Sequence, residues 1–307
     1  MKKYLPEGIL YCTAENKLAM SSAAELEDAA KCGRILEARV SVCTGDHDLI
    51  VELPCMKGII PREEGAIGIA DGSTRDIALI TKVNKPVCFK VMSVAADENG
   101  QPVAYLSRLA AQLECMESYI SRLSPGDIIP ARVTHLEQFG AFVDIGCGIS
   151  SLVPIDAISV SRISHPSDRF YNGEDIKVIV KGFSDGRVWL SHKELLGTWV
   201  ENAAMFSAGE TVSGVIRSVE SYGIFVELTP NLAGLAEPKA GVRPGQQAGV
   251  YIKALIPEKM KVKLIIVDVF DSVRVPGNIN YFIESGKISH WKYSADGAER
   301  IIESYFN

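Results

Sequence analysis

No stretch of the 307 residues approaches the ~18 consecutive apolar residues of a membrane-spanning helix, so no span is expected. The seven cysteines (Cys12, Cys32, Cys43, Cys55, Cys88, Cys115 and Cys147) are odd in number and never form a Cys-x-x-Cys pair. That scatter reads as reduced thiols and excludes both a disulfide framework and a zinc site. The five histidines do not gather around them, and no metal or cofactor is expected. Also missing are a His-Glu-x-x-His helix, a Gly-Lys-Ser/Thr phosphate loop and a Gly-x-Ser-x-Gly elbow. Gly146-Cys147-Gly148 lacks the later glycine and the following helix that a dinucleotide site needs. The segments 1–31 and 269–307 are too short for a catalytic domain. The expectation is therefore no enzymatic activity and no small-molecule substrate. Met1-Lys2-Lys3-Tyr4-Leu5-Pro6-Glu7 has two lysines and no apolar core behind them, unlike a signal peptide, which points to the cytoplasm.

A basic excess is lacking as well. The net charge is −6, and no segment is positive overall: residues 1–121 carry 13 basic and 17 acidic side chains, 122–200 carry 8 and 9, and 201–268 carry 7 of each. Binding to a nucleic acid through backbone electrostatics alone would be weak and salt-sensitive. Any such affinity has to come from ring stacking and local patches. Lys253, Lys259, Lys261 and Lys263 form the densest patch, read here as alternating along one strand. An ordinary solvated strand face is the plainer reading of the same lysines.

A repeated phrase organises the chain. Pro125-Gly126-Asp127 opens a strand-like run that leads to Phe139-Gly140-Ala141-Phe142-Val143-Asp144. Ser207-Ala208-Gly209-Glu210 opens a second copy, with Tyr222-Gly223-Ile224-Phe225-Val226-Glu227 at the aromatics. One offset separates Gly126 from Gly209 and Gly140 from Gly223, which is a repeat signal. A fainter copy starts at Gly33 and places His47 and Ile50 where the later copies have rings. Phe139 and Phe142 are three apart, so a regular pleat would put them on opposite faces. A bulge near Gly140 is expected to turn both rings to one side. Paired rings on the outside of a small barrel make a platform for nucleobases. The plain alternative is that Phe142 and Phe225, and less readily Phe139 and Tyr222, are core.

These patterns predict a mainly β chain of three tandem five-stranded barrels of the OB type, joined by short helical connectors. The expected divisions are a helical segment at 1–31 (capped by Ser22), a degenerate barrel at 32–108, a connector at 109–122, a barrel at 123–192, a connector at 193–206, a barrel at 207–268 and an aromatic-rich tail at 269–307. In the first copy, strand-like runs fall at 36–42, 49–53, 77–83 and 87–94, with Asp97-Glu98-Asn99-Gly100 as a hairpin turn. In the tail, residues 295–306 read as a final helix. Its aromatics serve either to cap the last barrel or to contact RNA or protein.

The aromatic-Gly-x-Phe strand, the Leu152-Val153-Pro154-Ile155 segment and the closing Arg187-Val188-Trp189-Leu190-Ser191 strand resemble the S1-type OB fold of bacterial ribosomal protein S1. Ser164-His165-Pro166-Ser167-Asp168 and Asn172-Gly173-Glu174-Asp175 resemble further stretches of that family. The likeness covers 123–268 well and 32–108 moderately, and it is similar to the short S1-like proteins of Gram-positive, particularly clostridial, bacteria. It implies single-stranded RNA or mRNA and the small ribosomal subunit as partners. In the family, two aromatics, a later histidine and a last-strand basic residue face RNA. The resemblance assigns Phe139, Phe142 and Arg187 in the middle copy, with Pro154 at the histidine position. In the third copy it assigns Tyr222, Phe225 and Lys261, with Glu237 at that position. His165 is a further candidate, although a histidine before proline also simply fixes a turn. Arg187 has the competing reading of pairing with Asp185. The alternative function is a protein–protein scaffold or RNA-turnover factor, docking the ribosome or a nuclease through the acidic first barrel.

Overall fold

The computed structural model describes residues 4–97, 99–184, 186–271 and 279–306. Asp185, Glu98 of the expected hairpin turn, residues 1–3 and part of the tail fall outside the described residues. The chain divides into two units, Met1–Leu123 with Asp144–Ser150, and Ser124–Val143 with Ser151–Asn307.

Three closed five-stranded barrels follow one another. The first is built from β1 (Ile35–Cys43), β2 (Leu49–Glu52), β3 (Lys57–Ile60), β4 (Pro86–Ala96) and β5 (Pro102–Ser107). The second comprises β6 (Ile128–Glu137), β7 (Gly140–Asp144), β8 (Ser150–Pro154), β9 (Asp175–Ser184) and β10 (Arg187–Ser191). The third comprises β11 (Thr211–Glu220), β12 (Gly223–Thr229), β13 (Leu232–Ala236), β14 (Gln247–Ile256) and β15 (Lys261–Phe270). Each runs first-second-third-fifth-fourth around the barrel, with the third and fifth strands parallel and the first closing on the fourth. That shared order is the OB arrangement. Alternation sends Val40, Val51 and Leu106, Val133, Val143 and Leu190, and Ile216, Val226 and Leu264 inward. The same alternation turns Phe142, Trp189 and Phe225, their neighbours on β7, β10 and β12, to the outer face.

In the first unit, Thr13 caps α1 (Ala14–Leu18), and Ser22, as expected, accepts from the Glu25 amide to cap α2 (Ala23–Lys31). The run at 77–83 is not a strand. Its first four residues form α3 (Ile77–Ile80), which buries Leu79. The barrel already has a third strand in Lys57–Ile60, so no ladder remains for a sixth. Ser107 caps α4 (Arg108–Ser118), the expected connector. Beneath it lies a buried ion cluster: Arg108 Nε donates to Glu7 Oε1 at 2.6 Å, Lys82 Nζ donates to Glu7 Oε2 at 2.8 Å, and the Glu7 amide donates to Asp144.

In the second unit the connector at 193–206 is not one helix. A 3-10 turn (Lys193–Leu196) ends at Gly197, whose φ of 81° breaks the run, and Thr198 then caps α5 (Trp199–Ala203). The tail also departs from expectation. Residues 295–306 contain no helix among those described; β16 (His290–Lys292) pairs instead with β17 (Glu303–Tyr305). Trp291, Tyr293, Ala295 and Phe306 are buried in the third barrel's core cluster, so these residues cap it. Earlier in the tail, Ile288 N donates to Gly126 O and Ile128 N donates to Gly286 O, which adds the tail to the edge of the second barrel.

Candidate nucleic-acid interface

Phe139 and Tyr222 each occupy the second position of a two-residue hairpin turn, Gln138-Phe139 and Ser221-Tyr222. Glu220 faces Gly223 across that turn in the third barrel. The turn releases the ring from the pleat's alternation and lets it fold beside the ring three residues on, and in the third barrel the ladder also shifts register between Ile216 and Ser218, opposite Phe225 and Val226. Phe139 and Phe142 meet edge to face, with centroids 5.9 Å apart at 88°. Tyr222 and Phe225 repeat this at 6.2 Å and 87°. The glycine serves a different purpose from the one expected. A Cβ at Gly140 would sit 2.5 Å from the Val153 carbonyl oxygen, and one at Gly223 would sit 2.7 Å from that of Ala236. Only glycine lets the third strand approach so closely.

Phe139 is 55% exposed and Tyr222 65%, while Phe142 and Phe225 are half-buried on the outer face. None of the four belongs to a core. Each pair offers two rings at right angles, one of them largely exposed, an arrangement suited to an unpaired base. His135 lies alongside: its ring stacks on Phe142 at 6.5 Å and 26°, and Nε2 pairs with Glu137 at 2.7 Å. Sequence reasoning passed over it, because nothing in a lone histidine on β6 shows which ring its neighbour strand will bring opposite.

The lysines do not share a strand. Lys253 lies on β14, Lys259 in the 3-10 turn Pro257–Lys259, and Lys261 and Lys263 on β15, because the hairpin doubles back at Met260 (φ 47°). Antiparallel pairing brings Lys253 near Lys263 all the same. A cleft of ≈ 500 Å³ is lined by Tyr222, Phe225, Lys253, Lys261 and Lys263, joining the aromatic pair to three cations. Lys259 stands outside it. Glu237 also lines the cleft, with Lys253 Nζ 3.9 Å from its carboxylate and both side chains largely exposed. A pair so solvated is weak, and phosphate can displace it.

Arg187 opens β10, exposed, and has no ion-pair partner among the described residues. His165 makes its contacts within its own turn, where Nδ1 accepts from the Ser167 amide and caps the 3-10 turn Pro166–Asp168. That contact gives it the turn-fixing role.

Three barrels in this strand order, two of them bearing the same outward aromatic pair, define a chain of tandem OB-fold modules. Residues 122–193, which bracket the second barrel, match the S1 RNA binding domain. The chain is 28% identical over 280 residues to small ribosomal subunit protein bS1 of Leuconostoc lactis, covering 84% of this chain and 62% of that protein. It is 32% identical over 179 residues to bS1 of Staphylococcus aureus strain COL, covering 52% of this chain and 46% of the relative. The chain thus spans less than two thirds of the length of either. Residues 122–193 carry an S1 RNA binding domain, and the chain is similar to bacterial ribosomal protein S1. Among solved structures, a multidomain protein with nucleic acid binding domains from Streptococcus pneumoniae is 14% identical, with 77% of this chain and 74% of that chain covered, at a TM-score of 0.25. GSP13 from Bacillus subtilis is 21% identical over 24% of this chain and 55% of its own, at 0.22. Superpositions that loose add nothing to the strand order.

Proposed function

We propose that this chain binds single-stranded RNA without catalysing a reaction, acting in the cytoplasm on mRNA or at the small ribosomal subunit during translation. The observation that carries this reading is the repeated edge-to-face pair, Phe139/Phe142 and Tyr222/Phe225, on the outer faces of consecutive S1-type barrels. Bases of an unpaired strand stack on these rings, while Arg187 and the cleft lysines Lys253, Lys261 and Lys263 hold phosphates. A net charge of −6 leaves little non-specific attraction, so stacking supplies most of the affinity. Barrels in tandem raise one another's effective concentration, which turns weak single sites into a firm grip on one strand.

Fluorescence anisotropy with a labelled RNA of about 20 nucleotides tests this, comparing wild type with the Phe139→Ala/Tyr222→Ala variant. Each stack removed is expected to cost ~1–3 kcal/mol, so the double variant should bind at least tenfold more weakly. A wild-type protein that does not bind at low salt would overturn the reading and leave protein docking as the function to pursue.

A further inference from the structure

The chain has three tryptophans, and two of them are core: Trp199 is 2% exposed and Trp291 4%. Trp189, on β10, is 45% exposed. Its place in the sheet is well defined. Trp189 pairs with Leu152 in the parallel ladder between β10 and β8. Hydrogen bonds at both ends of the β7–β8 hairpin, Ile155 N to Phe139 O and Ile145 N to Ile149 O, set a register in which Leu152 faces Phe142. Phe142, Leu152 and Trp189 therefore form one row across three adjacent strands, all on the outer face. At a strand spacing of ~4.8 Å, the backbones of Phe142 and Trp189 stand about 10 Å apart.

The other barrels have the same row with different occupants. In the third it reads Phe225, Leu235, Lys263, and in the first Ile50, Ile59, Tyr105. Only the second barrel places a ring at both ends. Beyond Trp189 the next strand offers Gly182, where an added Cβ would meet nothing within 4 Å, so one flank of the indole is open. Arg187 is two residues away and, by strand alternation, on the same face, also exposed.

We propose that Trp189 is a nucleobase-binding residue that extends the second barrel's platform by one further base, with Arg187 on the adjoining phosphate. This rests on the RNA-binding reading above and adds its ligand geometry. Side chains rooted on backbones ~10 Å apart do not match the ~3.4 Å spacing of neighbouring bases in a continuous stack. The row therefore selects an extended strand with splayed bases and rejects a duplex, whose bases are paired and hidden.

The experiment follows tryptophan emission of the full chain during titration with an unlabelled oligoadenylate, in parallel with anisotropy of the labelled RNA. Wild type, Trp189→Ala, Trp189→Phe and Phe139→Ala are compared, with thermal denaturation of each. Wild-type emission should be quenched on binding, and the quench should vanish in Trp189→Phe, since the two remaining indoles are buried. Trp189→Ala should bind about tenfold more weakly, and Trp189→Phe should recover most of that affinity. If RNA binds by anisotropy but emission is unchanged, or the quench persists in Trp189→Phe, the proposal falls while the RNA-binding reading stands. If Trp189→Ala proves folded and binds as tightly as wild type, it falls as well. If wild type binds no RNA, both fall together.

Discussion

Arg169, which follows the turn capped by His165, donates to Glu227 on β12, and the two side chains are 4% and 2% exposed. Arg217 reaches the same carboxylate from β11 at 2.7 Å and also pairs with Asp168 at 3.1 Å. Two arginines and two carboxylates thus link the second barrel to the third. A buried pair of this kind gains little over apolar packing, but losing one member strands the others. Glu227→Ala is expected to destabilise the second unit by ~3–5 kcal/mol, read from urea denaturation.

The same network sets an acid limit. Burial pushes the Glu227 carboxyl up, but Arg169 and Arg217 outweigh it and hold the group below its ordinary value. A depressed carboxyl contributes stability above its unfolded pKa and loses it as pH falls through the folded one. Below about pH 4 the second unit should lose stability progressively, and Glu227→Gln should flatten that slope.

The first unit should respond in the opposite sense. Burial, reinforced by Glu7 and Asp144, pushes Glu37 up to about 7 against the opposing amides of Gly8 and Tyr11. Asp144 is pushed up to about 6 by burial and then by Glu7. A raised carboxyl contributes stability that is complete below its unfolded pKa and lost as pH rises through the folded one. Stability of the first unit should therefore decline between about pH 4 and about pH 7, with Glu37 alone contributing on the order of 3 kcal/mol. Glu37→Gln should remove most of that decline in thermal denaturation scans across the same range.

The tail docks through a close backbone approach. Gly126 has φ 89°, and a Cβ there would lie 1.9 Å from the Ile288 carbonyl oxygen. Gly126→Ala is expected to detach residues 279–306 from the second barrel's edge, at ~1–3 kcal/mol. Limited proteolysis should then cut within the tail at protease concentrations that leave wild type intact.

Salt dependence separates lysine–phosphate attraction from ring stacking. Replacing Lys253, Lys261 and Lys263 by alanine should lower the slope of log affinity against log salt by about 2, at ~0.7 for each phosphate no longer neutralised. Phe139→Ala should weaken binding by a similar factor at every salt concentration and leave the slope unchanged. Anisotropy titrations at several salt concentrations distinguish these outcomes.

Local spacing was enough to reveal the repeat. The matched offsets of Gly126 and Gly209, and of Gly140 and Gly223, together with runs of strand length, determine three barrels, because each copy repeats the turn and the inward alternation that its own core requires. The aromatic pairs were legible for the same reason: ring, glycine and second ring lie within four residues. Tertiary structure decided whatever depends on which strand lies beside which. The apolar run at Ile77 is helical because the barrel had no ladder left for it, and residues 295–306 became a strand and a cap because the third barrel's core took Trp291 and Phe306. The lysines converge because a hairpin reverses at Met260. His135 reaches Phe142, and Trp189 reaches the same row through Leu152, because barrel closure places residues far apart in sequence side by side. Sequence periodicity records which face a side chain takes, and only the closed ladder records its neighbours.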